Sequence, residues 1–531
     1  MPLPRLNIFE KMRGIFSPVS DIRRRVLAEV GRMIVNKHPP NYIEHIPYHI
    51  IYKDTPSYRK SVFTERAIVR ERVRLAFGMD LKEFGAHGPI RDEDIVNSIT
   101  AKKVLQRPIV NVIKIGCERC PEHSYLVTDL CRGCIAHPCT SVCPKDAVSI
   151  ISTPVGQRSI IDQEACIQCG KCEQVCPYNA IAYRERPCAV ACGVKAISSD
   201  EQGYAKIDYE KCVSCGLCIV SCPFGAIGEK SEIVQIITAL QQQAASKSGR
   251  AVYAEIAPSF VSQLGPLVSP DQIIEGILQL GFKAVREVAH GADVVVLNET
   301  EELIEILQAQ KQNPEACPSP EECQTFVGTS CCTAWALAAE NAFPKIAQHN
   351  ISESFAPMVE CAKAIRHEDP EAIVVFIGPC IAKKEECFQP EVEKLVEFVM
   401  TFEELAALFQ AYGIDPSKLT PCGSIQDASS LGRGFPVAGG VANAVIAQTK
   451  SKLGEEIEIP FVAADTLKKC MVMLKQVQRG KLDPAPLLVE GMACPFGCVG
   501  GPGTLAPIRR AKREADKYSK KASWDKPSDY L

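Results

Sequence analysis

The sequence is poor in net charge, in long apolar runs and, over its first 116 residues, in cysteine, of which that stretch has none. Sixty basic against 63 acidic side chains leave a formal charge of −3, which removes the electrostatic case for a nucleic-acid binder. No segment approaches the roughly eighteen apolar residues of a membrane span. The start, MPLPRLNIFEKMRG, shows no apolar core followed by a small-residue cleavage site. The expectation is a cytoplasmic protein with neither nucleic acid nor membrane as partner. Its 46% hydrophobic and 23% charged residues suit a globular chain, and 531 residues suit three or four domains. The exception to this ordinary composition is cysteine, at 27. In a reducing compartment such cysteines point to metal rather than disulfides.

The chain divides by composition. Residues 1–112 are expected to be mostly helical, with periodic stretches from Asp21 to Val35 and from Ser61 to Phe77, and an irregular Pro- and Tyr-rich stretch between. Residues 1–110 carry 20 Lys and Arg against 12 Asp and Glu. That excess reads either as a docking face for an acidic electron carrier or as a solvated helical surface. Residues 113–228 hold sixteen cysteines. A linker helix is expected around Glu232 to Ala245, then an α/β region across 229–508 and a charged tail at 509–531, either a surface helix or frayed.

Two segments match the bacterial ferredoxin run C-x2-C-x2-C-x3-C-P: Cys166, Cys169, Cys172, Cys176 and Cys212, Cys215, Cys218, Cys222. In that run the first three thiolates hold one [4Fe–4S] cube and the fourth reaches a second. Cys131, Cys134, Cys139 and Cys143 form a third run with a longer middle gap. The leftover cysteines are ordered by an internal repeat: Cys143-Pro-Lys-Asp-Ala, Cys176-Pro-Tyr-Asn-Ala, Cys192-Gly-Val-Lys-Ala and Cys222-Pro-Phe-Gly-Ala. Cys192 is thus a fourth-position cysteine and Cys188 a third, with Cys117 and Cys120 their only spare C-x2-C. One two-cluster ferredoxin (about 129–183) is then nested inside another. The exchange rule gives the sets Cys131/Cys134/Cys139/Cys176, Cys166/Cys169/Cys172/Cys143, Cys117/Cys120/Cys188/Cys222 and Cys212/Cys215/Cys218/Cys192. For the split set a zinc site or unligated thiols are the rival readings, with His123 and His137 nearby either as substitute ligands or as loop histidines. All-cysteine cubes carry single electrons, so bond chemistry is expected further along the chain.

In the C-terminal half four strand-like runs each end in a tight loop: VYAEIAPS from Val252, TFVGTSCCTAW from Thr325, IVVFIGPCIAKKEE from Ile373 and LLVEGMACPFGCVGGPG from Leu487. Loops at the carboxyl ends of parallel strands converge on one crevice, which would hold Cys332, Cys380, Cys494 and Cys498. The last three runs resemble the three signature motifs of the [FeFe]-hydrogenases, and Thr329-Ser-Cys-Cys-Thr-Ala-Trp335 resembles the group B subclass.

That resemblance implies two nested 2[4Fe–4S] ferredoxin domains followed by a two-lobed α/β catalytic domain, α+β overall. It implies an H-cluster, a [4Fe–4S] cube bridged to a diiron unit with CO, cyanide and azadithiolate, held by Cys332, Cys380, Cys494 and Cys498, the last bridging. Cys331 then matches the proton-passing thiol, Lys383 the lysine that bonds a cyanide, Pro258 and Ser259 a second cyanide-side loop, and Met492 a lining methionine. Glu299 and Glu302, one helical turn apart, match relay glutamates, or else are helix N-terminal acids favoured by the macrodipole. Ser352 matches a relay serine if one residue is inserted. The implied reaction is interconversion of protons and electrons with H2, with ferredoxin or flavodoxin as carrier and maturation proteins supplying the diiron unit. An H2 sensor and a bare electron-transfer protein are the rivals.

The sequence departs from the family pattern at Thr333-Ala334, Gly378, Met358 and the run Gly500-Gly-Pro-Gly-Thr504. Cys317, Cys323, Cys361, Cys387, Cys422 and Cys470 are left over. Cys317 and Cys323 read as a redox or protective pair, or all six as idle thiols.

Overall fold

The computed structural model describes residues 17–82, 90, 92–122, 124–246, 249–312, 319–421 and 425–531. His123, Cys317 and Cys422 lie outside the described residues.

The first helix, Pro18–Val35, starts where Ser17 accepts from the Ser20 N–H, with proline in the first turn where its missing N–H is harmless. The helix Val62–Ala76 is capped by Ser61. The stretch expected to be irregular instead carries a 3-10 turn, Pro40–Glu44, and a short helix, Ile46–Ile50, each with proline in its first turn. The basic excess is partly turned inward. Arg23, Arg24, Arg72 and Arg74 are buried. Arg23 donates to Glu229 at 3.0 Å and to Glu403 at 2.6 Å, so one guanidinium joins the end of the cysteine-rich region to the C-terminal half. Burial would raise the Glu229 carboxyl, but Arg23 outweighs it and holds the group below its ordinary value. Arg59 donates to the carbonyls of Gly116 at 2.8 Å and Phe224 at 2.9 Å, both beside cluster cysteines. The helix Ile233–Ala245 is no mere linker: Ile233, Val234, Ile236, Ile237 and Leu240 belong to the largest apolar core.

The cysteine-rich region is built from short antiparallel pairs whose nesting is visible in the register. Val110–Val112 pairs with Ile227–Glu229, and inside that pair Ser124–Val127 pairs with Ile181–Arg184. Two hairpins, Val148–Thr153 with Gly156–Ile161 and Ile197–Ser199 with Ala205–Ile207, complete the two units.

The C-terminal half has two parallel sheets. One runs Ala284–Glu287, Val252–Ile256, Ile373–Gly378, Phe398–Thr401; the other Val327–Gly328, Leu488–Met492, Phe461–Asp465. Their central strands are buried throughout, as parallel strands covered on both faces must be. The charged tail is a helix, Ile508–Ser519, followed by an anchored end. Tyr518 donates to Glu287 at 2.6 Å, and Tyr530 to Asp293 at 2.8 Å while stacking on Trp524. Among the described residues no helix is long and apolar enough to cross a membrane.

Candidate active site and cysteine clusters

All four strand-like runs end at one place. Cys332 stands just before the first turn of the helix Thr333–Ala342, and its sulfur accepts the Ala493 N–H at 3.4 Å, tying the first motif to the third. The third motif packs on the second through glycine: a side chain on Gly501 would sit 2.7 Å from the Pro379 carbonyl. Gly491 lies under the Trp335 ring, where a Cβ would fall 2.1 Å from ring carbon. Cys332, Cys380, Cys494 and Cys498 stand within electrostatic reach of one another. Burial raises all of them above the ordinary thiol value, and neighbouring thiols add to it for Cys380, Cys494 and Cys498, Cys380 reaching about 11. Four converging thiolates, partly shielded from solvent, repel each other unless cationic metal holds them, so the donor set fits an iron–sulfur cube. Ser259 Oγ is buried without a partner, an unused donor at the rim of the same crevice. Pro258 shares its turn, and Met492 is buried at the end of its strand.

Lys383 donates to Glu386 at 2.5 Å and to the Cys331 carbonyl at 3.3 Å. Burial works against its charge, but Glu386 and Cys380 hold its pKa above the ordinary value. Glu386 also accepts from Thr333 at 2.5 Å, so at one departure from the family pattern the threonine hydroxyl has a carboxylate to bind. Gly378 has a reason as well, because the Phe376 ring lies 2.5 Å from where its Cβ would be.

Beside the four thiols runs a line of proton-bearing groups. Burial pushes the Cys331 thiol well up, and the charge of Glu299 adds to it. Glu299 is fully buried. One of its oxygens accepts the Ser330 N–H at 3.2 Å, the other has no partner, and burial raises its carboxyl to about 8. Glu302, one turn on and half-buried, accepts from Ser352 at 2.6 Å; burial raises it too. Ser352 is thus beside the second glutamate. Sequence reasoning missed Glu490, which accepts the Gly439 and Ala442 N–H groups at 2.7 and 2.9 Å and lies within electrostatic reach of Cys331 and Cys498. Its position inside the third motif was the available signal.

The sixteen upstream cysteines fall into groups. Cys131, Cys134, Cys139 and Cys176 line one cavity, and Cys117, Cys120, Cys188 and Cys222 another. Cys212, Cys215 and Cys218 act electrostatically on one another together with Cys192. Cys166, Cys169 and Cys172 form a further group, and Cys143 packs in the small core that holds Cys172.

The loops repeat in detail. Each fourth-position sulfur accepts an N–H four residues on: Ala147, Ala180, Ala196 and Ala226, at 3.2 to 3.4 Å. Gly133, Gln168 and Ser214, two residues after the first cysteine of the full runs, are left-handed, and so is Arg119 after Cys117. Among the described residues no three His, Cys, Asp or Glu side chains form a group placed to hold a single metal ion. A cube spreads its thiolates over four irons. Cys323 is disulfide-bonded and so is not an idle thiol; sequence carries no measure of how closely two sulfurs approach.

The last link is between the two halves. Cys215 lies within electrostatic reach of Cys380 and Cys494. Next to it, Gly216 packs so tightly on Ile381 that a Cβ would fall 2.5 Å from that side chain.

Residues 250–502 match the family described as iron only hydrogenase large subunit, C-terminal domain, and residues 159–182 and 205–228 match the 4Fe-4S binding domain. Iron hydrogenase 1 of Clostridium pasteurianum is 26% identical over 405 residues, which is 68% of this chain and 67% of that one. The NADP-reducing hydrogenase subunit HndD of Solidesulfovibrio fructosivorans is 26% identical over 65% of this chain and 64% of its own. This chain therefore spans about two thirds of the length of these relatives. An [FeFe]-hydrogenase structure from Chlamydomonas reinhardtii aligns at 21% identity with a TM-score of 0.45, over 55% of this chain and 91% of that one. Residues 250–502 of the chain therefore carry the C-terminal domain of the iron-only hydrogenase large subunit, preceded by 4Fe-4S binding domains.

Proposed function

We propose that this chain interconverts two protons and two electrons with H2, and that it exchanges those electrons with a ferredoxin or flavodoxin through four accessory [4Fe–4S] cubes. The observation that carries the reading is the convergence of Cys332, Cys380, Cys494 and Cys498 on a crevice whose wall packs against the Cys215 loop. In this reading Cys332, Cys380, Cys494 and Cys498 would hold the H-cluster, Cys498 being the ligand shared with its diiron part, and Lys383, Pro258, Ser259 and Met492 would line its pocket. When bound, the cofactor supplies the redox chemistry of H2; the side chains manage protons. Cys331 exchanges a proton with Glu299, and Glu299 with the buried Ser352 and with Glu302, which is partly exposed and leads to solvent. A raised carboxyl such as that of Glu299, at about 8, can both hold and release a proton near neutral pH, as a relay needs.

The Cys192/Cys212/Cys215/Cys218 cube stands last before the crevice in the electron path. The Cys117/Cys120/Cys188/Cys222 cube comes before it, and the inserted unit is outermost. Cys169, exposed where the other described cysteines are not, supports the inserted unit as the entry end. Maturation proteins for the diiron unit and a cytoplasmic setting complete the proposal.

The test is H2 evolution from reduced methyl viologen by protein matured anaerobically with the diiron cofactor. Steady turnover is the expected result. A chain that binds its cubes but refuses the diiron unit would reduce the reading to an iron–sulfur protein with a hydrogenase fold.

A further inference from the structure

Among the four cysteine sets, the one split by the insertion is entered differently. The third cysteine of each set lies in a short helix, and the residue just before that helix differs. His137, Gly170 and Gly216 stand there in left-handed backbone, Arg186 in extended backbone. A full run must turn back sharply between its second and third cysteines, which favours glycine. No cysteine lies just upstream of Cys188, so the chain arrives extended and admits a long side chain. Arg186 is only 2% exposed and lines one cavity with Cys117, Cys120, Cys188 and Cys222. Its Nη2 donates to the Cys120 carbonyl at 2.8 Å, Ser199 Oγ at 2.5 Å and the Gly203 carbonyl at 3.1 Å. Its Nε and Nη1 are buried with no partner in the protein. Buried N–H donors left unanswered cost free energy unless something in the cavity accepts from them.

The other charged groups near this set are answered elsewhere. Glu118, on the cavity wall, pairs with Arg59 and is half exposed. Arg119 donates to Tyr204, and Lys114 pairs with Asp200 at 2.8 Å. Among the described residues no carboxylate pairs with Arg186. An arginine side chain keeps its charge in a protein interior. The acceptors that suit it are the anionic sulfurs of a cube held by the four cysteines of the same cavity. Hydrogen bonds to sulfur and local net charge both help set a cube's reduction potential, and a nearby cation favours the reduced, more negative form.

We propose that Arg186 donates from Nε and Nη1 to the sulfurs of the cube held by Cys117, Cys120, Cys188 and Cys222, and thereby raises that cube's reduction potential. This rests on the reading of the split set as a cube. The step is the uptake of one electron from the neighbouring cube; no bond forms or breaks, no proton moves, and the guanidinium charge offsets the charge gained. The split set then retains electrons midway between the inserted unit and the crevice.

The experiment is a reductive titration of the holoenzyme followed by electron paramagnetic resonance, the split cube's signal being the one lost in Cys120→Ser. In Arg186→Gln the ratio of reduced to oxidised split cube should fall about tenfold at a set potential, which is about 59 mV in midpoint for one electron. The other accessory midpoints should stay, and Arg186→Lys, which keeps the charge, should shift less. An unmoved midpoint in Arg186→Gln, an equal fall in Arg186→Lys, or the same fall at every cube overturns the proposal. If Arg186→Gln cannot hold its cube, the wild type decides. With arginine labelled by 15N in the guanidinium, the split cube's signal should show a 15N hyperfine coupling, and its absence overturns the proposal. If Cys120→Ser loses neither signal nor iron, the split set holds no cube, and the reading falls together with the proposal. That outcome is distinct from a cube that is present but indifferent to Arg186.

Discussion

In the ferredoxin units each thiol is placed by its own loop; in the catalytic crevice no loop succeeds alone. Cys117, Cys131, Cys166 and Cys212 are each followed two residues later by a left-handed residue, and each fourth-position sulfur meets an N–H four residues on. These are short-range devices, repeated four times. Cys332, Cys380, Cys494 and Cys498 come instead from the ends of strands in two different sheets, pressed together by Gly491 under Trp335 and Gly501 against Pro379. The first arrangement is modular. The second depends on the whole half of the chain being folded.

The difference can be broken at several points. The largest effect is expected from Cys331→Ala, which removes the thiol of the proposed proton relay and leaves the four proposed cluster ligands in place. Turnover should fall by about 10^2- to 10^4-fold, the usual worth of a positioned acid or base, while the infrared bands of the cofactor persist. Turnover near the wild-type rate would remove Cys331 from the relay. Gly491→Ala should come next, because its Cβ would lie 2.1 Å from Trp335. Overpacking of this kind costs about 1–3 kcal/mol, and a denaturant titration should show that loss together with poor loading of the crevice. Cys120→Ser should be the contained counterpart: iron analysis should find about four irons fewer per chain, one cube's worth. The other cubes should stay. Loss of eight irons or more would make the units interdependent rather than modular.

The smallest expected effect is on pH dependence. Burial raises Glu299 from 4.5 to about 8, so the folded state favours its acid form. The stabilisation is fully present below about 4.5, where folded and unfolded chains both hold the proton, and is lost as pH rises toward about 8. Glu299→Gln should therefore flatten the decline of melting temperature across that window. An unchanged slope would mean that Glu299 is ionised in the folded protein.

The same contrast governs how much could be read from sequence. The cysteine runs, the repeat that assigns Cys192 its position, and the pairing of Glu299 with Glu302 are local patterns, legible without coordinates. Glu490, which anchors the start of the helix Gly440–Leu453, and the Thr333–Glu386 contact join residues dozens of positions apart, and spacing carries no trace of them. The N-terminal basic excess shows the limit best. Counted as charge it reads as a surface, yet Arg23 and Arg72 are buried because their acceptors, Glu229, Glu403 and the Gly225 carbonyl, arrive from distant chain.

That last feature has a bearing on the order of synthesis. Arg23 emerges early from the ribosome, but one of its carboxylate partners lies 206 residues later and the other 380. Domains tend to fold as units from the amino end during translation. Here the first helix cannot complete its buried charge pairing until most of the chain exists. The sixteen ferredoxin cysteines are thus all made before the clamp can shut, leaving iron and sulfide an interval in which to reach them.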